Sequence, residues 1–198
     1  MTAQSTQKTL KEKLGGRNIF LIGMMGSGKT QTGPYLARMI NYAFVDTDDV
    51  IEKAAKQSIT AIFEKDGETG FRDLEKQVLK EISQHHSLVI ATGGGLVTLP
   101  ENWGILHQGI VIWLDLDLNR SIQRIERDDK ERPLLIKEDL AHTYSQIYES
   151  RKSIYLESDL RIEVEDQSPS EVASMIADRL PSILINEVTQ AERHTTEL

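Results

Sequence analysis

Residues 23–30 read Gly-Met-Met-Gly-Ser-Gly-Lys-Thr and fit the pattern G-x-x-x-x-G-K-[S/T] at every specified position. Glycines in this pattern let the backbone turn tightly and bring its N–H groups close to a chain of phosphates. Lys29 supplies a positive charge for the β- and γ-phosphates, and the Thr30 hydroxyl is a ligand for Mg²⁺. The stretch therefore predicts a binding site for a nucleoside triphosphate, although it does not indicate the reaction.

The sequence on either side of this stretch supports the prediction. Residues 18–22 form a short apolar run typical of a buried strand, and Tyr35, Leu36, Met39 and Ile40 recur at helical spacing. A strand before the loop and a helix after it would put the bound anion at a helix N-terminus, where N–H groups and the helix dipole favour negative charge. The alternative is a glycine-rich turn that carries Lys-Thr by chance.

Short apolar runs alternate with longer helical patterns along the chain, which is typical of an α/β fold with a parallel sheet. Strands are predicted at residues 18–22, 43–46, 88–91, 110–114 and 160–164. Helices are predicted at residues 29–40, 48–56, 59–65, 71–84, 119–128, 137–156 and 170–180. Because ligands bind outside the carboxyl ends of the strands in such sheets, the polar residues after each strand are the candidates for the site.

Two aspartates follow the second predicted strand. If the strand extends as far as Asp48, alternation puts Asp46 and Asp48 on one side, at the ligand-binding edge of the sheet. A kinase needs one carboxylate near its Mg²⁺ and another near the proton of the attacking hydroxyl. The alternative is that Thr47 or Asp48 caps the next helix. One aspartate can serve both purposes through separate oxygens.

A glycine triplet, Gly93, Gly94 and Gly95, follows the third predicted strand. Three consecutive glycines are costly in conformational entropy. The triplet therefore favours a place where the backbone approaches a ligand closely over a plain flexible turn.

Three arginines are candidate anion ligands, and each has a structural alternative. Arg72 lies early in a predicted helix, where a cation opposes the helix dipole unless it pairs with Asp73 or Glu75. Arg132 lies in a charged, proline-broken segment, whose composition suits a lid and a solvated loop equally. Arg151 by itself indicates only the surface of a helix.

Length and composition are those of a single globular domain, with 198 residues, 27% charged and 39% hydrophobic. The net charge of −8 argues against a surface for nucleic acid. The chain has no cysteine, which excludes disulfides, and no apolar run long enough for a membrane span. We expect a cytoplasmic protein with a flexible leader over residues 1–16, helical in part around residues 10–14, a domain over 17–182 and a flexible tail over 183–198.

In combination, these motifs resemble those of the shikimate kinases from about residue 18 to residue 180. Six stretches carry the resemblance in the same order: GMMGSGKT at 23–30, FVDTD at 44–48, IFEKDGETGFR at 62–72, TGGG at 92–95, RPLL at 132–135 and YESR at 148–151. The first is unspecific, whereas all six in this order are highly specific. Pro34 departs from the family, which often has Arg at this position, and we expect no loss of activity because proline is tolerated in the first turns of a helix.

The resemblance implies a P-loop fold of the nucleoside-monophosphate-kinase type, a three-layer α/β sandwich with a central five-stranded parallel sheet, flanking helices and a lid at about residues 127–137. It also implies transfer of the ATP γ-phosphate to the 3-hydroxyl of shikimate, a step towards chorismate and the aromatic amino acids. The expected cofactors are ATP and Mg²⁺, and the expected partner is shikimate. We expect no nucleic acid, no membrane and a monomer.

The same resemblance implies a role for each candidate residue. Those for the nucleotide are Gly26, Ser27, Gly28, Lys29, Thr30 and Arg132, with Arg127 and Pro169 flanking the adenine. Those for the metal are Thr30 and Asp46. Those for shikimate are Asp48, Arg72, Gly93, Gly94, Gly95 and Arg151. Among these, Asp48 would be the base, assisted in catalysis by Lys29 and Arg132. The two arginines for shikimate would hold its carboxylate by bidentate contacts, and the N–H groups of the glycine triplet would face its hydroxyls.

Two other functions compete with this interpretation. Another small-molecule kinase of the same fold, such as a gluconate kinase, accounts less well for paired aspartates, a glycine triplet and two spaced arginines, which suit a compact polyhydroxy carboxylate. A catalytically silent binding protein of the same family would be expected to lack the lysine, an aspartate or the lid arginine, and all three are present.

Overall fold

Five strands form one parallel sheet in the structure of the protein, a computed structural model that describes residues 9–128, 132–135 and 139–196, with residues 185–196 described through their backbone alone. The strands are β1 (Ile19–Ile22), β2 (Ala43–Asp46), β3 (Leu88–Ala91), β4 (Ile110–Leu116) and β5 (Leu160–Val164). Their spatial order is β2-β3-β1-β4-β5, and all four neighbouring pairs are parallel. The predicted five-stranded parallel sheet is therefore confirmed.

Eight α-helices occur in the described residues: α1 (Leu10–Leu14), α2 (Lys29–Ile40), α3 (Thr47–Ala55), α4 (Ile59–Ile82), α5 (Pro100–Leu106), α6 (Leu118–Glu126), α7 (Leu140–Tyr155) and α8 (Pro169–Thr196). None of these helices is both long and apolar enough to cross a bilayer. Helix α4 consists of two segments joined at Gly67, whose φ is 68°, which explains why the sequence predicts two helices there. The sequence pattern does not predict α5, because seven residues are too few for a clear period. Pro34 lies in the second turn of α2, and the helix continues through it.

The sheet separates two apolar clusters, as alternation along a buried strand requires. In β1, Phe20 and Ile22 belong to one cluster, together with buried residues of α3, α4, α5, α6 and α7. Ile19 and Leu21 belong to the other cluster, together with buried residues of α1, α2 and α8. Helices thus cover both faces of the sheet, and the expected three-layer sandwich is confirmed.

Helices lie near both ends of the described chain, the first where the sequence predicts one and the last longer than the sequence predicts. Residues 10–14 form α1, which Thr9 and Glu12 cap through reciprocal side-chain to backbone hydrogen bonds. Leu14 is 1% exposed and packs in the same cluster as α8. Helix α8 does not end near residue 180 but continues past Pro181, because the buried Leu184 extends its apolar face. The division into leader, domain and tail stays a prediction.

Leu14 provides a test of whether α1 is part of the folded domain. Leu14→Ala is expected to lower the free energy of unfolding by about 2–5 kcal/mol, because it removes a fully buried side chain. The control is Lys13→Ala on the exposed side of the same helix, with an expected change below about 0.5 kcal/mol. Urea unfolding followed by circular dichroism measures both. Equal midpoints for the two variants would show that α1 does not pack as described.

Candidate active site

A cavity of about 900 Å³ lies where the carboxyl ends of β1, β2 and β3 meet. Nearly all the predicted site residues line it: Gly26, Gly28, Lys29, Thr30, Asp46, Asp48, Arg72, Gly93, Gly94, Gly95, Arg127, Arg132 and Arg151. Two do not. Ser27 is a residue of the loop but is only 2% exposed, and Pro169 begins α8 outside the described lining.

The loop between β1 and α2 has the backbone conformation that its glycines were predicted to allow. Gly26 and Gly28 have φ values of 79° and 93°, in the left-handed region that side chains other than glycine rarely adopt. Gly28 is also the N-cap of α2, so the loop leads directly into a helix N-terminus. Backbone N–H groups in such a place bind phosphate, which supports the nucleotide prediction.

Lys29 is buried within this loop. Its Nζ donates hydrogen bonds to the carbonyl oxygens of Gly23 and Met24, at 2.8 and 2.9 Å. Burial lowers the pKa of Lys29 to about 8, while the carboxylates of Asp48 and Asp46 act in the opposite direction. The ammonium group is thus held in place beneath the phosphate site by the backbone of the loop itself.

Thr30 and Asp46 are the two residues whose oxygens could hold Mg²⁺ beside the phosphate loop. The Thr30 hydroxyl donates to Asp46 Oδ2 at 2.6 Å, which places one neutral and one anionic oxygen together beside the phosphate loop. Mg²⁺ in phosphoryl-transfer enzymes is held by one or two protein oxygens and by phosphates of the substrate. The donor set therefore fits Mg²⁺ delivered with a nucleotide.

The two aspartates reach the cavity by a different route from the one that strand alternation predicts. Strand β2 ends at Asp46, and Thr47 already begins α3. Asp46 is the N-cap of this helix, since its Oδ1 accepts from the Asp48 N–H at 2.9 Å. Neither Thr47 nor Asp48 is the cap. Asp46 therefore uses one oxygen to cap α3 and the other to contact Thr30, and Asp48 lies in the first turn of the helix.

The glycine triplet is shaped mainly by protein side chains. A Cβ on Gly95 would overlap the Arg72 guanidinium, and a Cβ on Gly93 would overlap Glu75 Oε1. The Gly93 N–H, which we expected to face the substrate, instead donates to the buried Thr47 Oγ1 at 2.9 Å. The backbone of the triplet is closely approached, as predicted. In the structure, however, the approaching groups are two charged side chains, those of Arg72 and Glu75.

Arg72 is held by two acidic side chains from its own helix. Its Nη1 donates to Glu75 Oε2 at 2.7 Å and its Nη2 to Glu68 Oε1 at 3.1 Å. Glu75 is 0% exposed, and this burial raises its pKa, while the charge of Arg72 acts to lower it. Glu75 also lines the cavity. From the sequence, Glu75 is expected only as an alternative ion-pair partner of Arg72, and its i,i+3 spacing on a helix is the signal that points to it.

Arg151 enters the site from α7. It is 6% exposed, and its Nη1 donates to the Gly94 carbonyl oxygen at 2.9 Å. The hydroxyl of Tyr155 donates to the same oxygen at 3.0 Å. Arg72 packs on Gly95, so the structure brings both predicted carboxylate ligands to the same short loop.

The predicted lid lies partly outside the described residues, which omit 129–131 and 136–138. Arg132 is described, lines the cavity and pairs with Asp128, which lies four positions earlier in the sequence. Arg127 lines the cavity as well, whereas Pro169 does not. Sequence reasoning missed Arg124, whose Nη1 and Nη2 lie 3.4 Å from the carbonyl oxygens of Gly26 and Glu165.

Comparison with known sequences identifies relatives that span the whole chain. A sequence profile described as shikimate kinase matches residues 25–181. The shikimate kinase of Prochlorococcus marinus (strain NATL2A) is 81% identical over 198 residues, which is 100% of both chains. That of Prochlorococcus marinus (strain MIT 9211) is 53% identical over 186 residues, or 94% of both chains.

Solved structures give a consistent result. Shikimate kinase from Acinetobacter baumannii in complex with shikimate superimposes with a TM-score of 0.83 at 36% identity, over 88% of this chain and 98% of that one. The shikimate kinase from Aquifex aeolicus superimposes with a TM-score of 0.73 at 37% identity, over 83% of this chain and 96% of that one. A gluconokinase from Sinorhizobium meliloti superimposes with a TM-score of 0.57 at 14% identity, over 88% of this chain and 97% of that one. At this identity the likeness shows the fold alone.

The ion pairs of Arg72 generate a prediction about stability. Glu75→Ala is expected to destabilise the protein by about 3–5 kcal/mol, because it leaves a buried guanidinium without its buried counter-charge. Glu68→Ala removes the half-exposed partner of the same arginine and is expected to cost less than about 1 kcal/mol. Chemical denaturation of the two variants measures the difference. Similar losses for both would contradict the burial of Glu75.

Proposed function

The chain belongs to the shikimate kinase family, and we propose that the cavity at the carboxyl edge of its sheet is where the reaction takes place. The protein is an enzyme that uses ATP and Mg²⁺ to phosphorylate shikimate, at the 3-hydroxyl, within aromatic amino acid biosynthesis. The observation that carries the proposal is the meeting of a phosphate loop, two carboxylates and two buried arginines in one cavity.

The nucleotide is proposed to bind at the loop before α2. Gly26 and Gly28 would offer backbone N–H groups to the phosphates, and Lys29 would stabilise negative charge on the β- and γ-phosphates. Ser27, whose N–H donates to the Met24 carbonyl oxygen, would shape the loop between the two glycines. Thr30 and Asp46 would hold Mg²⁺, which when bound neutralises phosphate charge and fixes the geometry of transfer. Arg127 is a candidate for the adenine side because it lines the cavity, whereas Pro169 has no such support.

The acceptor is proposed to bind against the glycine triplet. Shikimate carries a carboxylate, and Arg72 and Arg151 are buried guanidinium groups that contact adjacent residues of this triplet. A planar guanidinium binds a carboxylate through two parallel hydrogen bonds, and burial strengthens these contacts. Gly94 and Gly95 complete the surface. Since the Gly93 N–H donates to Thr47, we assign Gly93 to shaping the wall of the site.

Asp48 is proposed to accept the proton of the acceptor hydroxyl. Its carboxylate lies beside Gly93, and its charge is the largest charge effect that stabilises protonated Lys29. As the hydroxyl oxygen bonds to the γ-phosphorus, the bond from phosphorus to the bridging oxygen of ADP breaks, and the hydroxyl proton passes to Asp48. Lys29 and Arg132 stabilise the charge that develops during transfer.

The setting of the reaction is also proposed. We propose that the enzyme is a monomer. The net charge of −8 supports the absence of a nucleic-acid partner. We propose that the enzyme acts in the cytoplasm, where ATP is supplied and where a chain without cysteine needs no oxidising environment.

The activity can be tested directly with purified protein and Mg-ATP. Release of ADP is expected only when shikimate is present, with a phosphomonoester resonance of the product in ³¹P NMR. Gluconate, nucleoside monophosphates and the absence of an acceptor serve as controls. Equal or greater turnover with gluconate or a nucleoside monophosphate would refute the assignment.

The two aspartates can be separated by asparagine substitutions, which keep their shape. Asp46→Asn retains an oxygen to cap α3, and it is expected to raise the Mg²⁺ requirement, with partial recovery at excess Mg²⁺. Asp48→Asn is expected to lower kcat at saturating substrates without recovery. General-base assistance typically contributes roughly 10²–10⁴-fold, and a loose transition state favours the lower end. Recovery of Asp48→Asn by Mg²⁺, with none for Asp46→Asn, would reverse the two roles.

A further inference from the structure

Helix α7 carries two buried tyrosines whose hydroxyls contact the two binding loops. Tyr144 is 1% exposed and donates to the Met25 carbonyl oxygen in the phosphate loop at 3.0 Å. Tyr155 is 0% exposed and donates to the Gly94 carbonyl oxygen in the glycine triplet at 3.0 Å. The two residues are three helical turns apart and therefore lie on one face of α7.

Gly94 lies where these two loops meet. A Cβ on this residue would be 3.6 Å from the Gly23 carbonyl oxygen and 3.7 Å from the Met25 nitrogen, so its peptide packs directly on the phosphate loop. Its carbonyl oxygen accepts from both Arg151 and Tyr155. The position of this one oxygen therefore determines how the arginine is oriented.

The ring of Tyr155 is fixed independently of its hydroxyl. It stacks on Trp113, with ring centroids 5.5 Å apart and an angle of 21° between the planes. Burial raises the pKa of Tyr155 to about 12, so the hydroxyl remains a donor at every pH at which the enzyme is assayed. A phenylalanine would keep the stacked ring and lose only the hydrogen bond.

We propose that Tyr155 is a positioning residue for the acceptor, which fixes the Gly94 carbonyl and through it the orientation of Arg151. The inference rests on the proposed function, in which Arg151 binds the shikimate carboxylate. Tyr155 does not touch the acceptor in this proposal. Its hydroxyl shares an acceptor oxygen with Arg151 and so keeps the remaining guanidinium N–H groups directed at the carboxylate.

The test is Tyr155→Phe in the full-length enzyme, with binding of shikimate and of ATP measured by calorimetry. We expect the Kd and the KM for shikimate to rise about three- to tenfold, the size expected for one neutral hydrogen bond. The Kd for ATP and kcat should change less than about twofold. In an Arg151→Lys background, Tyr155→Phe should change the Kd for shikimate less than about twofold, because the hydroxyl acts through the arginine.

Two tyrosines of the same helix provide matched controls. Tyr144→Phe removes the equivalent hydrogen bond to the phosphate loop and should weaken ATP binding more than shikimate binding. Tyr148→Phe removes the hydroxyl of a half-buried ring that lies near Lys152 and Asp115, and both affinities should remain within about twofold. Melting temperatures of the three variants, measured in parallel, report any general loss of packing.

The outcomes separate the proposal from the function on which it rests. An enzyme that phosphorylates shikimate but whose shikimate Kd is unchanged by Tyr155→Phe would overturn the positioning role alone. Equal weakening of ATP and shikimate, or an undiminished effect in the Arg151→Lys background, would also overturn it. Lack of any shikimate turnover in the unsubstituted enzyme would refute the proposed function instead.

Discussion

The parallel direction of the strands is the constraint on which the rest of the site depends, because it brings the ends of β1, β2 and β3 to one edge of the sheet. A small number of hydrogen bonds then hold together the segments that follow these strands. Asp46, at the end of β2, accepts from Thr30 after β1 and from the backbone of α3. Thr47 accepts from Gly93 after β3. Two consecutive residues thus join three loops, and each loop carries one part of the site.

Charge burial is the second feature that shapes the site. Lys29, Arg72, Arg151 and Glu75 are all less than a tenth exposed. Buried charges are costly unless they are paired, and here each has a backbone carbonyl or an opposite charge as a partner. In exchange, the charged side chains are pre-organised, because side chains held in a low-dielectric cavity rearrange little when anionic substrates bind.

Helix α7 connects the proposed nucleotide half of the cavity to the proposed acceptor half. Its two buried hydroxyls contact the phosphate loop and the glycine triplet, and Arg151 lies between them on the helix. Packing of Gly94 on the backbone of the phosphate loop means that neither loop is supported independently of the other. The arrangement gives the two substrates a common, rigid wall, which is what transfer between precisely aligned oxygens requires.

The sequence by itself determined the class of fold and predicted most of the residues that line the cavity. The strand-loop-helix pattern around Lys29 is local, and so is the periodicity that predicts the strands. All five strands lie where they are predicted, and four of them begin at the predicted residue. Residues after parallel strands must converge, so Asp46, Asp48 and the glycine triplet could be assigned to one site before the structure was available. Six short stretches in a fixed order added the reaction.

Only the tertiary structure decided how these residues are held. Whether β2 ends at Asp46 or at Asp48 depends on the competition between a ladder hydrogen bond and a helix cap, which differ little in local energy. That Gly93 and Gly95 leave space for Glu75 and Arg72 depends on where α4 crosses the loop. Thr47 and Tyr155 act through contacts with residues 46 and 61 positions away, and the role of Glu75 depends on its burial. Neither kind of feature is encoded in a local pattern.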